Sequence, residues 1–325
     1  MTPVVPAAEG RPLVSIGVPI YNEEKHLAEV LDSLLAQDYE NFEIVISDNA
    51  STDGTQRICE KYAAADRRVR YYRHDTHVHG FQNFNRLLEL ARGEFFMWVS
   101  GHDLHHRSQV SKCIEVMLED AHIVLCYTQM IWIDEQSQPF VPLEKGNDYI
   151  DTRGLELSLL RINVVLWALR GGNPIHGLFR LEALKKTPGF TQIVSPDMAL
   201  LIELAAIGKF AFVSEPLLYV RRGISVDNWR ILLSRLFPDE LRKGKTERLF
   251  WRMMYQLAKR VAGHVRSLPG KILAFCSVII GMWVNFRWIL NGLRDVKHAS
   301  VIVEPDEPPE VVGNRADVRS AANGG

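Results

Sequence analysis

Four cysteines in 325 residues, Cys59, Cys113, Cys126 and Cys276, stand far apart with no CxxC pair among them. That excludes a disulfide framework and a cysteine zinc site, and it predicts a reducing compartment. Long apolar runs are missing too. A spanning helix needs roughly 18 or more uninterrupted apolar residues; the longest candidate, ILAFCSVIIGMWVNF at residues 272–286, is followed by Arg287. The N-terminal stretch MTPVVPAAEGRPLVSIGV lacks a basic region followed by a long apolar one, so no secretion signal is expected and the body is predicted to be cytoplasmic. A glycine-rich dinucleotide fingerprint is also lacking. The stretch GVPIYNEE holds only Gly17 where an oxidoreductase of this class needs GxGxxG.

Charge is present but unevenly spread. Residues 221–271 carry 13 Lys/Arg against 4 Asp/Glu, and the remainder 25 against 35. Basic residues set among aromatic and apolar ones predict a membrane surface as the partner of this segment, and no nucleic acid. Lys271, Arg287, Arg294, Trp283 and Trp288 flank or interrupt the apolar run as interfacial anchors do. The plainer alternative is an apolar helix packed on the body. Beyond about residue 303 the Pro, Glu and Gly content predicts a disordered tail.

The first half alternates strand and helix patterns. Val14–Val18 reads as a buried strand ending at Pro19, and Leu27, Val30, Leu31, Leu34 and Leu35 fall on one helical face. FEIVIS then runs into the turn-forming DNASTDGT before a helix from about Gly54 to Ala65. VRYYR reads as a third strand, FQNFNRLLELA as a helix closed near Gly93, and EFFMWVS as a fourth strand. Repeated βα units predict a mostly parallel sheet with helices on both faces, whose ligands bind outside the carboxyl ends of the strands. Residues 19–24, 48–54 and 100–106 converge on that edge. Further along, the patterns predict a helix near 107–119, a strand near 122–131, a helix near 152–170 and a strand at HGLFR. The stretch SPDMALLIELAAIGK predicts a helix with Ser195 as its cap, Pro196 in its first turn and Gly208 at its end.

Three carboxylates stand out in three loops: Asp48, Asp103 and Asp197. Singly, each has a structural reading, as an Asx turn for the first two and a helix-dipole partner for the third. Together, VSIGVPIYNEEKHLAEVLDSLLAQDYENFEIVISDNASTDGT and ARGEFFMWVSGHDL resemble a family 2 glycosyltransferase of the GT-A fold, over roughly residues 12–222. The resemblance implies a glycosyltransferase domain at 12–225; composition predicts disordered residues 1–11, a basic and apolar helical extension at 226–300 that associates with membrane, and a disordered tail at 301–325. It implies that Pro19, Tyr21, Asn22 and Glu23 line the nucleotide pocket and that Asp48 recognises the base. Asn49 takes the place of the second acid of the DDxS motif, and the amides of Asn83 and Asn85 are candidates to bond donor hydroxyls or phosphate.

In GHD, Asp103 corresponds to the metal-contacting acid, and His102 replaces the acid before it. A hard Mg²⁺ or Mn²⁺ needs only one or two carboxylates beside phosphate, and coordination by His102 would tilt the choice toward Mn²⁺. Contact of His102 with the donor sugar or solvent is the alternative. Asp197 corresponds to the general base that takes a proton from the acceptor hydroxyl as it attacks the anomeric carbon, inverting configuration. A helix N-terminus favours its charged form, so a low pKa is expected. His176 and Arg180 of HGLFR are expected near acceptor or phosphates. YVRRGIS has Gly223 or Ser225 where relatives carry a His, leaving Arg221 or Arg222 to neutralise phosphate. The expected activity is transfer of a sugar from a nucleotide-diphosphate sugar to a hydroxyl of a lipid-linked or polysaccharide acceptor, in cell-surface glycan synthesis at the inner membrane face. The rivals are a catalytically impaired nucleotide-sugar-binding protein and a metal-dependent hydrolase using His102, Asp103, His105 and His106. Helical spacing after Asp103 argues against the hydrolase, since it sends the two later histidines in different directions.

Overall fold

The computed structural model describes residues 10–139, 148–169, 173–193, 195–221 and 246–296. The chain begins β1 (Val14–Ile20), α1 (Leu27–Leu35), β2 (Phe42–Asp48), α2 (Thr55–Ala65), β3 (Val69–Arg73), α3 (Gly80–Leu90) and β4 (Phe95–Trp98). It continues β5 (Leu104–His105), α4 (Gln109–Glu119), β6 (Ile123–Ile133), α5 (Ser158–Ala168), a 3₁₀ turn (Asn173–His176), β7 (Leu178–Arg180) and α6 (Leu181–Lys185). Then follow α7 (Pro196–Ile207), β8 (Lys209–Arg221), α8 (Thr246–Gly263) and α9 (Leu268–Val296).

All eight strands form one sheet in the order β3-β2-β1-β4-β7-β6-β8-β5. The first four are parallel, as the βα repeats predict. The rest corrects the mostly parallel expectation. β7 runs against both β4 and β6, β6 and β8 are parallel to each other, and β5 runs against β8, so the sheet is mixed. Two reversals restore the original direction, so β6 and β8 point the same way as β1 and β4. The start of β7 and the end of β8 therefore lie on the rim that holds the ends of β1, β2 and β4. Between β1 and β4 the chain changes the direction in which it adds strands, which is where α/β sheets open a crevice.

Side-chain alternation splits the core in two. Val14, Ile16, Val18 and Ile20 of β1 join Phe95 and Met97 of β4 under α1, α2 and α4, while Phe96 and Trp98 face α3, α5 and α7. Gly17 sits on the second face because a Cβ there would come 2.6 Å from the Phe96 ring. β1 continues two residues past the predicted end, through Pro19. The odd residues of β1 bond toward β4, as the Val99 N–H to Gly17 carbonyl bond shows, and β4 has ended by that level. No ladder bond is lost to the ring of Pro19.

Several boundaries differ from expectation. α3 ends at Leu90 with Ala91 extended, and Gly93 serves a close approach to the Leu13 carbonyl. α5 starts only at Ser158 because Thr152 is tied to the start of β8: its N–H donates to the Phe210 carbonyl and its hydroxyl accepts the Phe210 N–H. Ser195 makes no side-chain cap and adopts φ 51°, while Pro196 and Gly208 stand where predicted.

α8 and α9 pack on α5 and α7. Leu257, Ala258, Val261, Ala274 and Val278 are buried in the same apolar cluster as Val165, Leu166 and Leu201. A buried carboxylate, Glu203 of α7, meets His264 Nε2 at 3.1 Å and Arg260 Nε at 3.6 Å from α8. No helix among the described residues is long and apolar enough to cross a membrane. The tails predicted to be disordered fall almost wholly outside the described residues.

Candidate functional site at the sheet rim

Three loops meet beyond the ends of β1, β2 and β4. Asn22, at φ 55°, turns the chain after β1, its N–H donating to Ser51 Oγ at 3.0 Å and its Oδ1 accepting the Thr52 N–H at 2.8 Å. The next N–H, that of Glu23, donates to Thr55 Oγ1 at 2.8 Å. Polar side chains of the β2 loop thus satisfy backbone donors of the β1 loop, which fixes both without burying unpaired groups. Glu23 reaches the third loop: its Oε1 lies 3.0 Å from His102 Nδ1, and it packs on Gly101, where a Cβ would fall 2.7 Å from Glu23 Cγ.

Burial disfavours the charged form of His102, but the Glu23 hydrogen bond and the charges of Asp103 and Glu23 outweigh it and raise the pKa against the opposition of Arg221. A protonated ring cannot ligate a metal. Asp103 is 2% exposed. Its Oδ1 accepts the Arg221 N–H at 2.9 Å, and nothing among the described residues donates to Oδ2. No group of three His, Cys, Asp or Glu among the described residues is arranged to hold a metal ion. A carboxylate with one uncommitted oxygen nevertheless suits a hard divalent cation that takes its other ligands from phosphate and water.

His176, in the 3₁₀ turn before β7, stands within reach of both acids. Burial lowers its pKa, more than the charges of Asp103 and Asp197 raise it, and the ring is held toward the neutral form. Asp197 opens α7, and its pKa is raised. The low value expected from the helix N-terminus is overturned because burial outweighs the Met198 N–H, its own N–H and the charge of His176. Helix ends favour carboxylates by a modest amount that a desolvated position exceeds.

Other predicted residues are placed differently. Tyr21 is 41% exposed and meets the exposed His77 ring edge-on at 4.5 Å, leaving an aromatic face at the mouth of the β1 loop. Pro19 is partly exposed beside it. Asp48 is fully buried: Oδ1 accepts the Ser51 N–H, three residues on rather than the two of an Asx turn, at 2.8 Å, and Oδ2 accepts the Tyr71 hydroxyl at 2.7 Å, which ties the β2 loop to β3. Sequence gave no hint of Tyr71, since only the β2–β3 register brings it there. Asn49 clasps Val78 through both ends of its amide at 2.8 Å.

The amides of Asn83 and Asn85 are not free for a ligand as expected. Asn83 is buried, accepting from Ser47 Oγ at 2.7 Å and donating to the Ser47 carbonyl at 3.0 Å; Asn85 does the same with the backbone of Phe190. Arg180 lies opposite Phe95, at the start of β4, and binds the Met117 and Ile123 carbonyls on the far edge of the sheet. Arg221 is buried with its guanidinium donating to the His102 and Asp134 carbonyls, Glu29 and Ser137, and so faces no phosphate. Arg222, Gly223 and Ser225 lie outside the described residues. His105 and His106 part company, through strand alternation rather than the expected helix, which starts only at Gln109: the first, in β5, is buried against Gln109 and pushed down to about 4 by burial, and the second faces solvent beside Ser108.

Residues 15–185 match the model of Glycosyl transferase family 2. The glycosyltransferase GlyG of Streptococcus pneumoniae is 32% identical over 114 residues, which are 35% of this chain and 38% of that protein. Such matches span 38–45% of the length of the curated relatives. Among solved structures, S. aureus TarS 1–349 in complex with UDP-GlcNAc superposes with a TM-score of 0.61 at 20% identity, covering 83% of this chain and 72% of that one. The mannosyltransferase PcManGT of Pyrobaculum calidifontis, in complex with GDP-Man and Mn²⁺, gives 0.50 at 18% identity over 90% and 87%. Both share the mixed α/β fold.

Proposed function

Since the chain belongs to glycosyl transferase family 2, we propose that it moves a sugar, with inversion, from a nucleotide-diphosphate sugar to a hydroxyl of a lipid-linked or polysaccharide acceptor. The observation that carries this reading is the gathering at one rim of Asp103 from the β4 loop and Asp197 from the start of α7, both close enough for their charges to act on His176. One relative named as a putative teichuronic acid biosynthesis glycosyltransferase, and fold neighbours in complex with UDP, UDP-GlcNAc and GDP-Man, support the substrate class.

The nucleoside end belongs at Pro19, Tyr21 and Glu23, with Tyr21 and His77 offering the base an aromatic face. Asp48 serves it by folding the β2 loop, and Asn83 by holding α3 to β2. His102, whose charged form the Glu23 hydrogen bond favours, donates to the diphosphate and counters the charge that grows there as the sugar leaves. Asp103 would hold Mn²⁺ or Mg²⁺ together with the donor phosphates, and such an ion supplies charge neutralisation to the leaving group. On the opposite side Asp197 takes the acceptor proton on a carboxylate oxygen. Its raised pKa makes it a stronger base than an exposed aspartate. The functional division falls near residue 225, with the transferase residues before it and a membrane-associating extension after it at the cytoplasmic face.

A thermal-shift series with nucleoside diphosphates, with and without Mn²⁺, tests the reading. At a hundredfold excess over Kd a ligand adds about 2.7 kcal/mol of stability, enough to move Tm by several degrees. The expected shift depends on Mn²⁺ and disappears in Asp103→Ala. An equal shift in EDTA, or in the variant, refutes the metal role, and no shift with any nucleotide refutes the donor class.

A further inference from the structure

The outward sides of three helices on the α5–α7 face are apolar to a degree that folding of this chain does not explain. α9 buries Ala274 and Val278 against the body, and a Cβ at Gly281 would meet Leu166 at 3.3 Å, yet its other side exposes Leu268, Ile272, Leu273, Ile280, Trp283 and Val284. At 100° per residue these positions, with exposed Cys276, fall within one half of the helix circumference. α5 lies alongside, joined through Asn163 and Ser277, and exposes Leu157, Leu160, Val164 and Trp167 at one-turn spacing. Continuous apolar surface of this kind on a chain in water marks a contact site.

The neighbouring helix names the occupant. Arg248, Trp251, Arg252, Tyr255 and Lys259 all lie exposed on one side of α8, and Arg266 and Lys271 follow at the turn into α9. None of the exposed side chains described on α8 and α9 is a carboxylate. Two copies of this chain docking through a shared two-fold axis would set these cations against one another. Aromatic residues interleaved with arginine and lysine beside an uninterrupted apolar stripe fit a layer with anionic headgroups above acyl chains. We infer that α5, α8 and α9 together form a face that inserts into the surface of an anionic lipid bilayer, α9 and α5 contributing the apolar contact and α8 the headgroup contact. These helices lie on the membrane without crossing it, since none among the described residues is long and apolar enough to span. This deepens the placement at the membrane proposed above, and adds α5, a helix of the transferase domain itself, to the contact.

Flotation of the full-length chain with vesicles of phosphatidylcholine alone or with 30% phosphatidylglycerol tests it. Anionic vesicles should bind the protein and neutral ones weakly, with binding falling as salt rises. Arg252→Gln with Lys259→Gln should cost about fivefold in partitioning per basic residue removed. Ile280→Asp with Trp283→Asp should reduce binding at least tenfold, and Leu160→Asp with Trp167→Asp several-fold, each with a cooperative circular-dichroism melt retained above the assay temperature, since all four positions are 39–58% exposed. Equal binding by every variant, or no binding to either vesicle, overturns the inference. So does a concentration-dependent dimer that the Ile280 and Trp283 changes dissociate, because the face would then belong to a second copy. No donor turnover enters this assay, so failure here leaves the transferase reading standing, and failure of that reading leaves this one.

Discussion

Replacing Arg221 by alanine separates the phosphate ligand expected from the sequence from the buried brace seen in the structure. Its side chain is sealed from solvent and donates to two main-chain carbonyls, those of His102 at 3.0 Å and Asp134 at 2.7 Å. Truncation leaves both oxygens in a dry environment without a donor, at about 1–3 kcal/mol each. The contact with Glu29, itself 47% exposed, adds little to that loss. With the space vacated by the stem, Arg221→Ala is expected to cost about 4 kcal/mol. Urea unfolding followed by circular dichroism should show the midpoint falling by about 1.3 M at an unchanged slope near 3 kcal/mol/M. Because the His102 carbonyl sits in the loop that also presents Asp103, kcat/KM should fall further than the folded fraction accounts for. A variant with wild-type stability and only a raised KM for the donor would show that the guanidinium meets phosphate, and the brace would be wrong.

Asp197→Asn should remove transfer while isothermal titration still finds donor binding at wild-type affinity. The same variant should melt higher than wild type at pH 7. A carboxyl whose folded pKa is raised gives its full stabilisation below the unfolded pKa and loses it as pH rises through the folded one, so the gap between variant and wild type should close as pH falls toward 4. Asn83→Ala should cost about 1–3 kcal/mol in chemical denaturation through the lost Ser47 bonds, with the donor KM within twofold of wild type; a tenfold rise in KM would return the amide to the ligand.

Much of the rim was legible because it depends on local order. Strand, turn and helix signals around VSIGVPIYN, IVISDNAST and FFMWVSGHD placed three loops on one edge, and the parallel half of the sheet needed no further information. The antiparallel β7 was not legible. A three-residue strand carries no directional signal, and its reversal is what moves Arg180 to the far edge while keeping His176 at the rim. Asn83 and Asn85 were misread for a related reason: an amide offers the same donor and acceptor to a sugar as to a backbone, and only the contact across 36 or 105 residues decides between them. The low pKa expected of Asp197 followed a rule for helix ends in water, which desolvation at this position overrides.

The tie between Glu203 and the pair Arg260 and His264 bears on how this chain is to be shortened. A chain cut before Thr246 would keep α7 but remove both partners of Glu203 in its middle turns, and would uncover the apolar side chains of α5 and α7 that Leu257, Val261, Ala274 and Val278 pack against. Loss of transfer in such a fragment would then report a shifted base, and would say nothing about whether the acceptor has to be delivered by lipid.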